Sequence, residues 1–255
     1  MTTEQTMLTI AGVPEGYDAI VIADMTRAAF SRGKSPLMHI ARDDMRLTAL
    51  ENSISFFAPD IEIISFPAWD CLPYDRVSPN AEVSAARMAT LAALAHGVPG
   101  PFVLLTTLTA ATQRMPAAEV LRKASFSARV GHRIDEAALR DFLVRMGFSQ
   151  ASTVSEPGDY AVRGGIIDIY PPGQGGPVRL DLFGDVLDGA RRFDAATQRT
   201  TEKLSLVELA PVTEVILDEA AITRFRQNYR LEFGAAGTDD PLYESISAGR
   251  KSAGA

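Results

Sequence analysis

The sequence predicts an α/β chain. A parallel sheet with helices on both faces is interrupted by an α+β domain built on an antiparallel sheet. Three observations predict it. Short apolar runs alternate with helical periods between residues 17 and 110, the way strands buried on both faces of a parallel sheet read. After Met115-Pro116 the period falls toward two and turn signals crowd together, the mark of hairpins. From about residue 209 the helical period returns. The expected domains are therefore residues 1–116 plus 209–255 for the α/β part, and 117–208 for the inserted part.

The elements follow in order. "AIVIA" (19–23) is predicted as a buried strand, 25–32 as a short helix and "LMHIA" (37–41) as a second strand. Asp43 can cap a helix whose Leu47, Leu50, Ile54 and Phe57 share one face. "IEIISF" (61–66) is a third strand. Residues 83–96 form an alanine-rich helix with Met88, Leu91 and Leu94 inward and Gly97 at its end, and "FVLLTTL" (102–108) is a fourth strand. In the second region Ala124, Phe126, Ala128 and Val130 alternate with Ser125, Ser127 and Arg129, a half-exposed strand. Ile134-Asp135 opens a helix with Leu139, Phe142, Leu143 and Met146 on one side, ended by Gly147. Residues 158–200 read as hairpins, with turns at "PPGQGG" (171–176) and "GD" (184–185). Leu217-Asp218 opens a last helix through Phe225 and Tyr229.

Composition sets limits on function. The chain is 46% hydrophobic and 22% charged, with a net charge of −7. That balance argues against a surface given over to nucleic acid, whose binding rests on Lys and Arg at phosphates. The single cysteine, Cys71, excludes an internal disulfide and fits a reducing compartment. There is no secretory pattern at the N-terminus and no run near the roughly 18 apolar residues of a membrane span, so a cytoplasmic location is expected. His39, His96 and His132 lie far apart and suggest no metal site. No cofactor is expected.

Several motifs imitate catalytic ones. "AFSRGKSPL" (29–37) carries Lys34 and Ser35 as a phosphate-binding loop does, but Ala28 stands where the first glycine belongs. A strand follows where such a loop runs into a helix. "EVILDEAA" (214–221) resembles the acidic partner of such a loop, yet Asp218 reads better as a helix cap. The rival function is therefore a nucleotide-dependent DNA-remodelling ATPase using Lys34 and Asp218. A nucleic-acid surface at Arg122, Lys123, Arg129 and Arg133 is a third reading, set against plain solvated charges. "FPAWDCLPYDRVSPN" (66–80), with Trp69, Cys71 and Tyr74, reads as a long loop in which Cys71 is a buried structural thiol without a histidine base.

"VRLDLF" (178–183) says more. Val178, Leu180 and Leu182 fall on one face, and Arg179, Asp181 and Phe183 on the other. Arginine beside an exposed aromatic ring is the composition of partner-binding surfaces. Arg163 lies one hairpin strand earlier, before a Gly164-Gly165 expected to bulge the strand. The pattern alone leaves open a docking face or a Phe183 packed under a second layer with solvated arginines.

"FPAWDCLPYDRVSPN", "SAARMATLAAL", "EPGDYAVRGGIIDIYPPG" and "PVRLDLFGDVLDGARRFDAATQRT" resemble the N-terminal region of the bacterial transcription-repair coupling factor family, Mfd, a region itself similar to UvrB. The resemblance covers roughly residues 15–250. It implies UvrB-like domains 1a, 2 and 1b in that order, with a degenerate helicase-like sheet interrupted by domain 2. It implies a non-catalytic module of transcription-coupled nucleotide excision repair that recruits UvrA. Arg163, Arg179 and Phe183 fall on the family's UvrA-contacting positions, the arginines to meet carboxylates and the ring to fill an apolar spot. The decayed loop at Lys34 fits that family. Only about a dozen residues separate Tyr74 from Arg87, too few for the hairpin with which UvrB clamps DNA, so a docking scaffold is expected. Family members contact RNA polymerase and double-stranded DNA through further domains, one of them an ATP-driven motor. The sequence is expected to stop at "GRKSAGA" within domain 1b, and so to leave open a UvrA-binding face that the family's C-terminal domain covers.

Overall fold

A computed structural model describes residues 9–14, 16–33, 36–72, 77–234 and 240–250. The chain forms two compact units, Met1–Ala68 with Val98–Gln113, and Trp69–Gly97 with Arg114–Ala255. Residues 69–97 and those after 209, which the sequence pattern groups with the parallel sheet, fall in the second unit.

The first unit opens with a correction. Residues 19–23 are not a strand but the start of α1 (Tyr17–Ser31). A continuous short apolar run satisfies both periods. The buried positions Ala19, Ile22, Ala23 and Thr26 decide for the helical one, because the same face continues past Asp24. The Thr26 hydroxyl turns back to donate to the Ile22 carbonyl at 2.8 Å. β1 (Leu37–Ala41) and α2 (Asp44–Phe57) follow as expected, the Asp43 carboxylate accepting from the Arg46 N–H at 2.8 Å. Then come β2 (Glu62–Phe66), α3 (Ala81–His96) of the second unit, β3 (Phe102–Thr107) and the unforeseen α4 (Leu108–Thr112). β1 and β2 flank β3 in parallel, giving three strands among the described residues. Leu50 and Ile54 of α2 and Ala19 and Ile22 of α1 pack with Val103 and Leu105 of β3.

His39 lies midway along β1. Burial lowers its pKa below the ordinary 6.5 and Arg46 adds to the effect, while Asp18 opposes it. The unfolded chain therefore takes up the proton first as the pH falls. Stability is expected to decline below about pH 6.5 and to level off once folded His39 titrates. Urea midpoints at pH 7.5 and 5.5 check this, with His39→Gln showing the shallower dependence.

The second unit is built on a six-stranded sheet. α5 (Ala118–Lys123) was not foreseen, being too short to show a period. β4 (Phe126–Arg129) and α6 (Glu136–Arg145) match expectation, with Asp135 capping α6 at the Ala138 N–H. β5 (Ser149–Gln150), β6 (Asp159–Arg163), β7 (Ile166–Ile169), β8 (Val178–Phe183), β9 (Val186–Phe193) and β10 (Thr200–Leu204) follow in the order β10-β9-β8-β7-β6-β5. Pairing is antiparallel except between β5 and β6. β11 (Leu206–Leu209) pairs with β4. Leu139 and Leu143 of α6 close one face of the large sheet against Ile167, Ile169, Val178, Leu180 and Leu187. α7 (Glu219–Phe233), capped by Asp218, and α8 (Pro241–Ser247) end the chain's described structure.

Gly164-Gly165 corrects a second expectation. It is the two-residue turn between β6 and β7, not a bulge within a strand. Gly164 has φ of 60°, and a Cβ on Gly165 would stand 2.7 Å from the Leu182 carbonyl oxygen. Glycine is needed because the β8 backbone passes so close, its Leu182 N–H donating to the Gly165 carbonyl at 2.7 Å. The register shift falls instead between Asp181 and Leu182, against β9.

A buried ion pair ties this unit together. Arg87 of α3 is wholly buried, and its Nε donates to Glu214 at 2.5 Å while Nη2 reaches the second oxygen at 3.1 Å. The Trp69 indole N–H donates to the same carboxylate at 2.9 Å, and the guanidinium lies 5.0 Å from the Trp69 ring centre. The loop after β2, helix α3 and the segment after β11 thus meet at one charge pair.

Candidate protein-docking face

The face of the large sheet opposite α6 carries the predicted site. Strand alternation sends Ile167, Ile169, Val178 and Leu180 to the core and leaves Ile166, Asp168, Arg179 and Asp181 on the other side. Cross-strand register then sets the neighbours: Asp168 of β7 stands opposite Arg179 of β8, which stands opposite Arg191 of β9, itself opposite Lys203 of β10.

Asp168 organises the row. It is 1% exposed, and a carboxylate so placed is tolerated only when paired. Arg179 Nε and Nη2 span its two oxygens at 2.6 and 2.8 Å, the bidentate form that a guanidinium fork favours. Arg163, at the end of β6, donates from Nη2 to Asp168 Oδ2 at 2.6 Å. Underneath, the Arg179 guanidinium lies 4.7 Å from the ring centre of buried Phe193. The hydrogen bond to Asp168 raises the Arg179 pKa further above its ordinary value. Arg191 pairs with Asp181, so the two arginines that face each other across β8 and β9 are drawn to different carboxylates, relieving a like-charge contact. Gly189 makes room for this, since a Cβ there would sit 3.3 Å from an Asp181 carboxylate oxygen.

Phe183 ends β8 beside the Gly184-Asp185 turn and is 81% exposed. Among the described residues no second layer packs over it, so the expectation of a Phe183 buried under one does not hold. It lies roughly 13 Å along the strand from Arg179 at ordinary strand rise. The structure thus brings Arg163 and Arg179 together on one carboxylate and sets Phe183 on the same strand as Arg179. The sequence expectation missed Asp168 and Arg191. Asp168 was findable: a carboxylate inside "GIIDIY" requires a cation on the same face. Arg191 needed the register of β9.

The other motifs contribute less. Lys34, Ser35 and Tyr74 lie outside the described residues. Asp218 caps α7, accepting from the Ala221 N–H at 2.6 Å. Cys71 is half-buried, not core as expected, because it sits on the loop after β2. Of the basic group, Arg122 donates to the Ala95 carbonyl, Lys123 pairs with Glu119 and Arg133 with Asp185. Among the described residues no group of His, Cys, Asp and Glu is placed to hold a metal. No helix among them is long and apolar enough to cross a membrane.

The segment that carries this face defines the class of module: residues 126–214 match the UvrB interaction domain. Over most of its length the chain is similar to an N-terminal region of the transcription-repair-coupling factors. It is 33% identical over 223 residues to that of Escherichia coli (strain K12), covering 88% of this chain and 19% of the relative. Against the Haemophilus influenzae factor the identity is 31% over 242 residues, covering 94% and 20%. Against that of Myxococcus xanthus it is 34% over 194 residues, covering 73% and 16%. The chain spans about a fifth of the length of these curated relatives.

Proposed function

We propose that this chain is a non-catalytic module that recruits UvrA in transcription-coupled nucleotide excision repair, binding it through the open face of the six-stranded sheet. The observation that carries the reading is the pairing of a bare Phe183 with arginines held on buried Asp168, inside the segment that matches the UvrB interaction domain. Arg163, Arg179, Arg191 and Lys203 share that face with Asp159, Asp168 and Asp181. Guanidinium groups presented on this face beside an exposed ring suit carboxylates on a partner surface.

In this reading residues 1–116 plus 209–255 make up a degenerate helicase-like domain and 117–208 the UvrA-binding domain. In this reading RNA polymerase and double-stranded DNA are partners of other domains of the full-length family, and the module works in the cytoplasm. The ATPase alternative loses ground because Asp218 is engaged as a helix cap.

Titration into purified UvrA tests the proposal. The wild-type chain is expected to bind, and Arg179→Ala to weaken binding by about tenfold or more. Absence of wild-type binding overturns the reading.

A further inference from the structure

We infer that Asp168 is a positioning residue of this docking face: one buried carboxylate that holds two guanidinium groups in the orientation an acidic partner surface requires. The inference rests on the UvrA reading above and adds the geometry by which the site recognises carboxylates.

Asp168 lies between Ile167 and Ile169, both wholly buried. A charge in the middle of such a strand is a costly choice for stability alone, since buried ion pairs do not in general stabilise better than apolar side chains of similar volume. Its arrangement fits another purpose. Two cations on one anion leave one positive charge over, and Arg179, the more constrained of the two, is held from turning away. Arg179 meets Asp168 along one edge, lies on the Phe193 ring and approaches Gln198 Oε1 at 3.4 Å. Three constraints fix the plane of the guanidinium, and the side chain remains 22% exposed. Arg163 meets the same carboxylate through Nη2 alone and remains half-exposed. A guanidinium carries five N–H donors. Those not directed at Asp168 are available in a fixed frame for carboxylates of the partner, so little side-chain freedom is lost on docking.

A point charge cannot do this. Lysine at position 179 would meet one Asp168 oxygen and present no oriented fork. The inference therefore separates geometry from charge.

The experiment is titration of purified UvrA with the wild-type chain, Asp168→Asn and Arg179→Lys, with near-ultraviolet circular dichroism establishing each fold. The Arg179 Nε–H resonance is followed in the free proteins. Asp168→Asn and Arg179→Lys are each expected to weaken binding by about tenfold or more. The Nε–H resonance, held from exchange by Asp168, is expected to be lost in Asp168→Asn. Folded Asp168→Asn binding as wild type overturns the inference while leaving the UvrA reading intact, and so does Arg179→Lys binding as wild type. If Asp168→Asn does not fold, Arg179→Lys decides. Failure of the wild-type chain to bind removes the UvrA reading and the inference together.

Discussion

Glu214→Ala is expected to destabilise the second unit by about 3–5 kcal/mol, the usual effect of removing one partner from a buried ion pair. The reason is not that the pair is strong in itself. Arg87 is wholly buried on α3, and the Glu214 carboxylate meets it through both oxygens while also accepting from the Trp69 indole. Removing the carboxylate keeps the guanidinium's desolvation and takes away a charge, held through two hydrogen bonds, that helps offset it. Exposed pairs such as Lys123–Glu119 contribute little by comparison, because water solvates both partners with or without each other. Against a total stability of roughly 5–15 kcal/mol, the expected loss is large enough to lower the melting temperature by many degrees. Chemical denaturation of the variant checks it, and a loss below about 1 kcal/mol would show that the pair is dispensable. Arg87→Met separates the two contributions. It removes the buried charge itself, and its cost is expected to be the smaller one if the pair's value lies in mutual compensation.

Phe183→Ala has the opposite profile. Its ring is 81% exposed and contributes almost nothing to the core, so the melting temperature is expected to stay at the wild-type value. Binding to UvrA is expected to weaken by about thirtyfold, corresponding to ~2 kcal/mol for truncating an aromatic anchor. The separation is the useful part. A variant that folds normally and fails to bind places the energy in the docking face, whereas parallel losses would place it in the fold. Phe56 supplies the control: it is 79% exposed and stands on α2 of the first unit, so exposed aromatic surface by itself is matched between the two positions.

Much of this face was legible in the sequence for a definite reason. A period of two is short, and "VRLDLF" spans three repeats of it, enough to sort Arg179 and Phe183 from Val178, Leu180 and Leu182 without knowing the partners of the strand. Helix α6 was equally plain, because Asp135 marks its start and Leu139, Phe142 and Leu143 keep one face. Where periods overlap, the sequence misled. "AIVIA" is apolar at every position, so strand and helix predict the same letters, and only the burial of Thr26 beyond Asp24 separates them. Gly164-Gly165 was misplaced because the same pair suits a bulge or a turn, and the deciding fact, the approach of the Leu182 carbonyl, lies on another strand. The same limit hid the partnership of Arg191 with Asp181 and of Arg87 with Glu214. Both depend on residues that register and tertiary packing bring together, and neither has a local signature.

The central claim is that UvrA docks on the open sheet face, and hydroxyl-radical footprinting read by mass spectrometry tests it most directly. Phe183 and Phe56 offer nearly equal exposed rings in the free chain, so each reports on its own surface under identical conditions. The account predicts that saturating UvrA suppresses oxidation of Phe183 and leaves that of Phe56 unchanged. Protection of Phe56 with Phe183 still fully reactive would contradict it.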